Sequence, residues 1–554
     1  MKFILPFVVV WIGLPGTSSL NLPLSLSNVQ QSPPIRRVAV IGAGIAGLSV
    51  AHALENSPGC AGSYLQAGGK PYVEDSASPE KKGGLFGDIF GRKDEGRGGG
   101  AYGIQVSIFD SRPALDFDTG AGIQLNGGMS VLRKINPDLQ AKVAAASLPL
   151  KDIRSRSKPW LPGDNPFQTL LELNIESEIR AVGGKTEEDL IVDGEVMCYA
   201  IMRGALQEAM LDELPSAVKE RTLFNKKLTS VKPSEDSNGI YCAFEDNTVH
   251  GPFDMVIGCD GIKSAVKQYI DNGEITGEED SSAIYSGIRV SYAVQDGSSS
   301  DPPTSSSEFR QYFGDGAYAL AAAYGAGRGR PAAKGAYLIV RDEDYIGPFK
   351  VKSEGKASAR AAENDDWTQN NRVDNKDECL ERVRRTSIPD IDIGPILESA
   401  DRFFELGVYF HNPFSLKGWS REVKESGGRY CVLAGDGAHA MPPFLGQGSN
   451  QAVQDAYTLA TKIFQHNANC ELNLSTNIDS SESETFRNLG TLLRDYENVR
   501  WPPTASITAK AVFLGYLETG AAGFLSKFRD TFFFVAGKVG IARKVFFDAA
   551  TPKI

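Results

Sequence analysis

The sequence predicts an α/β protein in which a parallel sheet and an antiparallel sheet are interleaved along the chain. Three observations support this prediction. A glycine-rich turn lies between a buried strand and a helix near the start, segments that alternate apolar and polar residues fill the middle, and a second buried strand with its helix returns late. With 554 residues, 41% of them hydrophobic, the chain can bury one large core or two coupled ones.

The first residues have the order of a secretory leader. Lys2 precedes an apolar run at residues 3–14, and small residues follow at 16–19. This order predicts a signal peptide at residues 1–19 and a transit-like segment or linker at 20–36. We expect entry into the secretory route, followed either by import into a plastid through a bipartite signal or by a fate outside the cell or in an endomembrane lumen.

Composition excludes some classes of partner. The net charge of −11 predicts no attraction to nucleic acid. The seven cysteines are scattered and odd in number, and none forms a CxxC pair or a Cys/His cluster at metal-ligand spacing. We therefore expect neither a metal site nor a disulfide framework.

The first candidate site follows the strand at residues 37–41. A glycine-rich turn there lets the backbone approach a phosphate closely, and the next helix N-terminus favours negative charge. We expect a dinucleotide at the residues of this turn, which are Gly42, Ala43, Gly44 and Gly47. A low-complexity insertion at 55–102 separates the helix from the next strand, which Asp110 closes. Asp110 is the expected ribose ligand, with Arg112 beside it.

Two further buried strands end in similar turns. One precedes Asp260 and Gly261, where a structural strand-to-helix turn capped by Ser264 is the alternative. The other precedes Asp436 and a glycine-rich loop that opens a helix and offers backbone donors to a phosphate or a ring edge. The candidate residues of that loop are Gly446, Gly448, Ser449 and Asn450. We interpret His439 as a structural histidine behind the strand end.

The middle of the chain predicts the antiparallel sheet. Residues 283–294, 308–324 and 335–340 alternate apolar and polar positions, as half-buried strands do. Arg289 is a candidate for orienting the substrate, and a solvated sheet arginine is the alternative. The predicted domains are a dinucleotide-binding domain at 37–270, a sheet domain mainly at 271–428, a return of the first domain at 429–510 and a helical tail at 511–554.

The three turns, in this order, resemble the fingerprints of the class A FAD-dependent monooxygenases, the family of para-hydroxybenzoate hydroxylase, salicylate hydroxylase and zeaxanthin epoxidase. The resemblance implies a Rossmann-type FAD-binding domain with an interleaved β-sheet substrate domain and C-terminal helices. It also implies that NADPH or NADH binds transiently and that O₂ reacts through a flavin C4a-hydroperoxide. The product would be a hydroxylated or epoxidised aromatic or polyene substrate.

The resemblance also implies roles for individual residues. Asp436 would hold the ribityl chain, the loop from Gly446 to Asn450 would line the pyrophosphate and pyrimidine edge, and Pro443 would lie beside the reactive face of the flavin. Gln124 and Arg203 fit family positions that reach toward the dinucleotide, while Asp260 would bridge flavin and nicotinamide binding. Asp110 stands where the family more often has Glu.

Other interpretations remain open at this stage. A reductase of the geranylgeranyl type shares the dinucleotide motifs, and a flavin-carrying assembly protein would have no turnover. Residues 523–552 resemble the tail of zeaxanthin epoxidases, which favours an isoprenoid or other lipophilic alkene. The apolar cluster at residues 531–536 permits peripheral contact with a membrane, and packing against the flavin domain is its alternative.

Overall fold

The computed structural model describes residues 32–55, 103–118, 120–159, 164–236, 238–277, 283–341, 345–347, 350–351, 374–388, 392–476, 488–520 and 524–554. The predicted signal peptide, most of the transit-like segment and nearly all of the insertion at 55–102 lie outside these ranges.

The strands have the following bounds: β1 (Arg37–Ile41), β2 (Gln105–Phe109), β3 (Gly122–Leu125), β4 (Leu148–Ser157), β5 (Gln168–Asn174), β6 (Ile191–Val192), β7 (Glu195–Val196), β8 (Tyr199–Met202), β9 (Thr222–Leu223), β10 (Leu228–Pro233), β11 (Ile240–Phe244), β12 (Val249–Phe253), β13 (Met255–Gly258), β14 (Ala283–Gln295), β15 (Ser307–Phe313), β16 (Ala317–Tyr324), β17 (Ala333–Arg341), β18 (Tyr345–Gly347), β19 (Lys350–Val351), β20 (Arg402–His411), β21 (Ser420–Glu422) and β22 (Tyr430–Leu433).

The helices have the following bounds: α1 (Ile45–Glu55), α2 (Gly127–Ile135), α3 (Pro137–Ala145), α4 (Ile175–Val182), α5 (Gly184–Leu190), α6 (Arg203–Glu213), α7 (Ser216–Glu220), α8 (Ala265–Asn272), α9 (Asp374–Arg385), α10 (Ile393–Glu398), α11 (Asp436–His439), α12 (Gly448–Thr476), α13 (Leu489–Glu518), α14 (Phe524–Lys538) and α15 (Ile541–Ala550). A 3₁₀ turn at Pro443–Leu445 precedes α12.

A six-stranded sheet forms the first layer, in the order β21-β22-β13-β1-β2-β9. Strands β22, β13, β1, β2 and β9 are parallel, and β21 pairs antiparallel at the edge. Its central strands are runs of buried apolar residues because helices cover both faces of a parallel sheet. The predicted fold class is confirmed: this layer is the Rossmann-type domain, assembled from distant parts of the chain.

The second layer is a nine-stranded, largely antiparallel sheet, in the order β20-β14-β17-β16-β15-β4-β8-β3 with β5 paired to β4. Strands β3, β4, β5 and β8 come from the stretch that the sequence analysis gave to the dinucleotide-binding domain. The structure therefore corrects the division at residue 271, because strands of the antiparallel sheet occur on both sides of that boundary. The boundary at residue 510 likewise falls inside helix α13.

Long-range hydrogen bonds fasten the two ends of the Rossmann-type layer. The backbone N–H of Ile35 donates to Oδ1 of Asn467 at 2.7 Å, and Nδ2 of Asn467 returns a bond to the Ile35 carbonyl at 2.8 Å. Helix α12 thereby holds the residue that leads into β1. Within the described ranges no helix is long and apolar enough to span a bilayer, and no three His, Cys, Asp or Glu side chains form a metal-binding group.

Candidate functional site

The register of the parallel sheet brings four strand ends together. Ile41 of β1 lies opposite Phe109 of β2 and Gly258 of β13, and Gly258 lies opposite Leu433 of β22. Because parallel strands end at the same sheet edge, the turns that follow them share that edge. The three predicted segments, which begin at residues 42, 260 and 435, therefore meet, as the sequence analysis expected.

The glycine-rich turn has the contacts that explain its glycines. A Cβ on Gly42, which has a φ of +102°, would lie 2.4 Å from the carbonyl oxygen of Cys259. A Cβ on Gly47 would lie 1.9 Å from the carbonyl oxygen of Gly42, so the start of α1 packs directly on the turn. A Cβ on Gly44 would meet no atom within 4 Å. There is therefore open space for a ligand at Gly44, whereas the protein itself fills the space at Gly42 and Gly47.

Asp110 is tied to this turn and to Arg112. Its Oδ2 accepts from the backbone N–H of Ala43 at 2.6 Å and from Nη2 of Arg112 at 2.8 Å. Its Oδ1 accepts from the backbone N–H and Nε of Arg112, at 2.9 and 2.8 Å. Burial alone would raise the pKa of Asp110, but the bonds from Arg112 and Ala43 hold that pKa below its ordinary value.

These four bonds use the usual capacity of a carboxylate. The ribose contact of Asp110 therefore stays a prediction. It requires that the Arg112 side chain moves or that the ribose hydroxyl shares a carboxylate oxygen with it.

Asp260 serves as a helix cap. Its Oδ1 accepts from the Ser264 hydroxyl at 2.5 Å, and its Oδ2 accepts from the backbone N–H of Ala265 at 2.7 Å, in the first turn of α8. Ser264 in turn accepts from the N–H of Lys267 at 2.9 Å. The segment therefore forms the structural strand-to-helix turn that the sequence analysis gave as the alternative. A nicotinamide contact by Asp260 stays a prediction. Gly261, with φ +80°, has open space at its Cβ position.

Behind Gly435 and Asp436 lies a buried charge network. Oδ2 of Asp455 on α12 accepts from the Gly435 backbone N–H at 2.9 Å and pairs with Nε2 of His439 at 2.6 Å. Its Oδ1 pairs with Nε of Arg500 on α13 at 2.8 Å, and both side chains are fully buried. His439 is thus a buried partner of Asp455, in line with its structural interpretation. The network fixes the backbone immediately before Asp436.

Arg500 extends the same network to the last residues of the sequence. Its guanidinium donates to the side-chain oxygens of Gln451 and Gln454, at 2.7 and 3.0 Å, and to the carbonyl of Lys553 at 2.6 Å. The backbone N–H of Lys553 donates to Gln454 at 2.9 Å. All N–H donors of the Arg500 guanidinium therefore have acceptors within this buried cluster, as a buried guanidinium requires.

The side chain of Asn450 acts inside the protein. Its Nδ2 donates to the carbonyls of Gln124 and Gly446, at 3.0 and 3.1 Å, and its Oδ1 accepts from the N–H groups of Asn126 and Gly128, at 2.8 and 3.0 Å. Because every hydrogen bond of the amide is used, this side chain joins two loops, and only its backbone is available to a ligand. The predicted cofactor contact of Asn450 stays a prediction and would be made by its backbone.

The loop around Asn450 leaves other groups available. Gly446 has a φ of +62°, and a Cβ there would lie 3.5 Å from Oε1 of Gln124. The Nε2 atom of Gln124 is buried and has no hydrogen-bond partner of good geometry among the described residues. Gly448 and Ser449 begin α12, whose first-turn N–H groups have no acceptors within the helix. Gln124 and the first turn of α12 therefore both offer donors beside this loop.

Arg203 connects the two layers. It begins α6, and its side-chain carbons lie 3.1 Å from the Cβ position of Gly120. Burial, followed by the like charge of Arg112, lowers the pKa of Arg203, while Tyr292, Asp436 and Asp110 act in the opposite direction. The charges of the two candidate carboxylates and the hydroxyl of Tyr292 in the antiparallel sheet therefore all act on the Arg203 guanidinium.

On that sheet a row of aromatic rings belongs to the same buried core as the strands of the Rossmann-type layer. Tyr292 of β14 stacks on Tyr337 at 5.7 Å and on Phe404 at 4.8 Å between ring centroids. The Tyr337 hydroxyl donates to the carbonyl of Gly122 at 3.0 Å. A Cβ on Gly122 would lie 2.4 Å from the ring of Tyr324, so the row packs against the strand that carries Gln124. We call Tyr292, Tyr324, Tyr337 and Phe404 the aromatic row.

Arg289 lies on the other face of the same sheet. Its Nε pairs with Oε1 of Glu405 at 2.7 Å, and both side chains are largely buried, so the solvated alternative is wrong. Successive residues of a strand point to opposite faces, which separates Arg289 from Tyr292 and Glu405 from Phe404. The predicted catalytic role of Arg289 is corrected on this geometry, because its face turns away from Arg203. Pro443 is exposed in the 3₁₀ turn, and its predicted position beside a flavin stays a prediction.

Several residues of the site escaped the sequence analysis. Gln207 on α6 donates to the Ala43 carbonyl at 3.3 Å, and Asp455 and Arg500 form the network described above. The available signal was the set of polar residues at 451, 454 and 455, which alternate with apolar residues at the start of α12, because buried polar groups need partners. The aromatic row could not be found without the register of the sheet.

Comparisons with known proteins agree with this arrangement. Residues 421–469 match a family model described as an FAD binding domain. Kynurenine 3-monooxygenase from Saccharomyces cerevisiae is 24% identical over 388 residues, which are 66% of this chain and 70% of that protein. A protein described as a probable NADH-specific resorcinol 4-hydroxylase, from Rhodococcus jostii, is 36% identical over 110 residues, and this match spans only 17% of its length.

Solved structures share the fold. The structure of Klebsiella pneumoniae HpxO complexed with FAD and uric acid aligns with a TM-score of 0.58 at 16% sequence identity. The alignment covers 94% of this chain and 97% of that one. At such low identity the likeness concerns the two-layer architecture, and the chemistry has to be argued from the residues described above.

Proposed function

Because the chain belongs to the class A FAD-dependent monooxygenases, we propose that it uses NADH or NADPH and O₂ to hydroxylate or epoxidise an apolar aromatic or polyene substrate. The observation that carries this proposal is the meeting of three distant segments at one edge of a sheet whose buried core also contains the aromatic row. The nicotinamide, the substrate and the reaction type belong to the proposal. The family and its FAD are its premises.

The residues at the sheet edge fit FAD. The open space above Gly44 admits a pyrophosphate that any side chain would exclude, and the first turn of α12 offers N–H donors. Asp436 lies beside this turn, with Oδ1 4.0 Å from the Cβ position of Gly448, where a carboxylate can accept from a polyol. The unsatisfied Nε2 of Gln124 is a further donor toward the same region.

Bound FAD supplies the electron transfer and the activation of O₂ that this family's oxygenation requires. The chain's own part is to bind, orient and exclude water. The aromatic row provides an apolar wall whose hydroxyl groups are buried, and Tyr337 is fixed by its bond to Gly122. An apolar wall suits a substrate without charges, and it keeps water away from the reacting atoms. The charge of Arg203 interacts with Asp436, Asp110 and Tyr292, so we assign it the orientation of the cofactor.

The proposal is tested with the purified full-length protein. We expect a yellow protein whose flavin is reduced by NADH or NADPH, and whose oxidation of that nicotinamide is stimulated by a carotenoid or a phenol from a screen. Product formed under ¹⁸O₂ should carry one labelled oxygen atom. Reduction of the substrate without O₂ uptake would instead indicate a reductase of the geranylgeranyl type. A flavin that neither nicotinamide reduces would indicate a non-catalytic flavin-binding assembly protein.

A variant series separates substrate binding from cofactor binding. Tyr292→Ala and Phe404→Ala should raise the KM for the substrate while the flavin content stays at its wild-type level, because both side chains lie in the sheet layer. Arg289→Met is the matched control from the opposite face of β14 and should leave KM unchanged if it folds. Loss of flavin in the Tyr292 variant would contradict the assignment of this row to the substrate.

A further inference from the structure

Helix α14 has one buried face and one exposed apolar face. On the buried face, Phe533 stacks on Phe313 of β15 at 4.7 Å, and Nη1 of Arg529 donates to the Gly314 carbonyl at 2.6 Å. Gly537 lets the helix lie close to β5, because a Cβ there would be 2.8 Å from a methyl group of Leu171. The apolar cluster at 531–536 is therefore anchored to the antiparallel sheet, which corrects the expectation that it packs on the flavin domain.

The opposite face presents large apolar side chains to solvent. Phe528 is 51% exposed, Val535 48%, and Val539, just past the helix end, 61%. Their spacing of seven and four residues places them on one side of a helix. Ile541, at the start of α15, extends the same exposed stretch. Single apolar residues on a surface are normal, but a continuous exposed group of them marks an interaction site. We therefore expect another molecule to cover this face of α14.

Positive charge borders the apolar face. Lys527, Lys538 and Lys544 are exposed, and no ion pair of theirs occurs among the described residues. The acid within this stretch, Asp530, is buried and paired with Arg529. The surrounding protein has a net charge of −11, so a basic rim at this place runs against the overall charge. An apolar centre with a lysine rim is complementary to an anionic lipid surface, which accepts both groups at once.

We propose that α14 and the start of α15 dock the enzyme on an anionic bilayer. Phe528, Val535 and Val539 enter the interface between headgroups and acyl chains, and the lysines remain at the headgroup level. Since the other face of α14 is fixed to β15, docking holds the antiparallel sheet against the membrane. This inference concerns location alone and stands whether or not the proposed reaction is correct.

The experiment is sedimentation of the full-length holoprotein with sucrose-loaded vesicles. We expect binding to vesicles of phosphatidylglycerol and phosphatidylcholine, much less to pure phosphatidylcholine, and a decrease with added NaCl. The triple variant Lys527→Glu/Lys538→Glu/Lys544→Glu should lower the partition by at least about tenfold, since each basic residue near an anionic surface contributes to binding. Phe528→Ser/Val535→Ser/Val539→Ser should lower it similarly.

Matched controls use exposed residues elsewhere. Lys151→Glu/Lys185→Glu/Lys424→Glu changes the net charge equally, and Phe414→Ser/Leu416→Ser removes exposed apolar groups from a distant loop. Both should partition like the wild type. A loss in the charge control equal to that of the α14 variant would mean that net charge, and not this face, drives binding, and it would overturn the proposal.

A local measurement removes the contribution of any other segment. Hydrogen exchange of peptides from residues 527–544 should slow when anionic vesicles are added, while exchange in α8 on the first layer stays unchanged. No slowing in 527–544 would overturn the proposal. So would a wild-type dimer in light scattering that the Phe528→Ser/Val535→Ser/Val539→Ser variant converts to a monomer, because the occupant would then be a second copy of the chain.

Discussion

The network around Asp455 gives the most quantitative prediction. Asp455 and Arg500 are both fully buried, and their atoms pair at 2.8 Å, so neither charge has water as an alternative partner. Asp455→Asn keeps the shape of the side chain but leaves the Arg500 charge without its counter-charge. Removing one partner of a buried pair typically costs about 3–5 kcal/mol, a large part of a stability of roughly 5–15 kcal/mol. We expect a loss at the lower end of that range, because Arg500 keeps four other oxygen acceptors.

The assay is urea unfolding of the flavin-saturated protein, followed by circular dichroism. The matched control is Glu245→Gln, which breaks a pair with Lys227 at 3.0 Å whose side chains are 64% and 63% exposed. That change should cost less than about 1 kcal/mol, because water replaces the lost interaction. If Asp455→Asn lowered the free energy of unfolding by no more than the control does, the Asp455–Arg500 pair would not be shielded from water, and the reasoning would be refuted.

Further predictions concern the glycine turn, the ribityl contact, a buried acid and the leader. Gly47→Ala should destabilise the fold and Gly44→Ala should not, while Gly44→Ala should still weaken FAD binding in a fluorescence titration, because only its Cβ enters the open space. Asp436→Ala should purify mostly as apoprotein, and a normal ratio of flavin to protein absorbance would count against its role. Burial raises the pKa of Glu518 to about 8. The folded carboxyl therefore keeps a proton that the unfolded chain loses, and stability should fall between about pH 5 and 8 by on the order of 1 kcal/mol per unit. Glu518→Gln should flatten that profile in thermal melts at fixed pH values. Residues 1–36 fused to a fluorescent protein should direct it into the secretory route, and a cytosolic reporter would contradict that expectation.

The sequence was sufficient for the strand-end residues. Gly42, Asp110 and Gly435 each follow an apolar run, and a parallel sheet places the ends of such runs together whatever lies between them in the chain. The insertion at 55–102 therefore did not hide Asp110. The role of Ser264 as a cap was also readable, since a serine directly before a helix is a common N-cap.

Other features needed the folded chain. The face of Arg289 depends on an irregularity between Tyr285 and Arg289, where Gly287 has a φ of +74° and shifts the alternation of β14. The bonds of the Asn450 side chain reach residues 322 to 326 positions away, and no local pattern encodes such contacts. The partners of Asp455 could not be predicted from the sequence either, because the pattern of a helix shows which face is buried but not which residues pack against it.

The bond between Ile35 and Asn467 joins residues 432 positions apart, and it has a consequence for biosynthesis. At the usual speed of translation, on the order of 5–20 residues per second, the ribosome needs tens of seconds to make the intervening polypeptide. During part of that interval β13 lacks its sheet neighbour β22, and the third segment of the proposed cofactor site has not been made. An unpaired strand edge is prone to aggregate, so we expect chaperones to shield this edge until late in elongation.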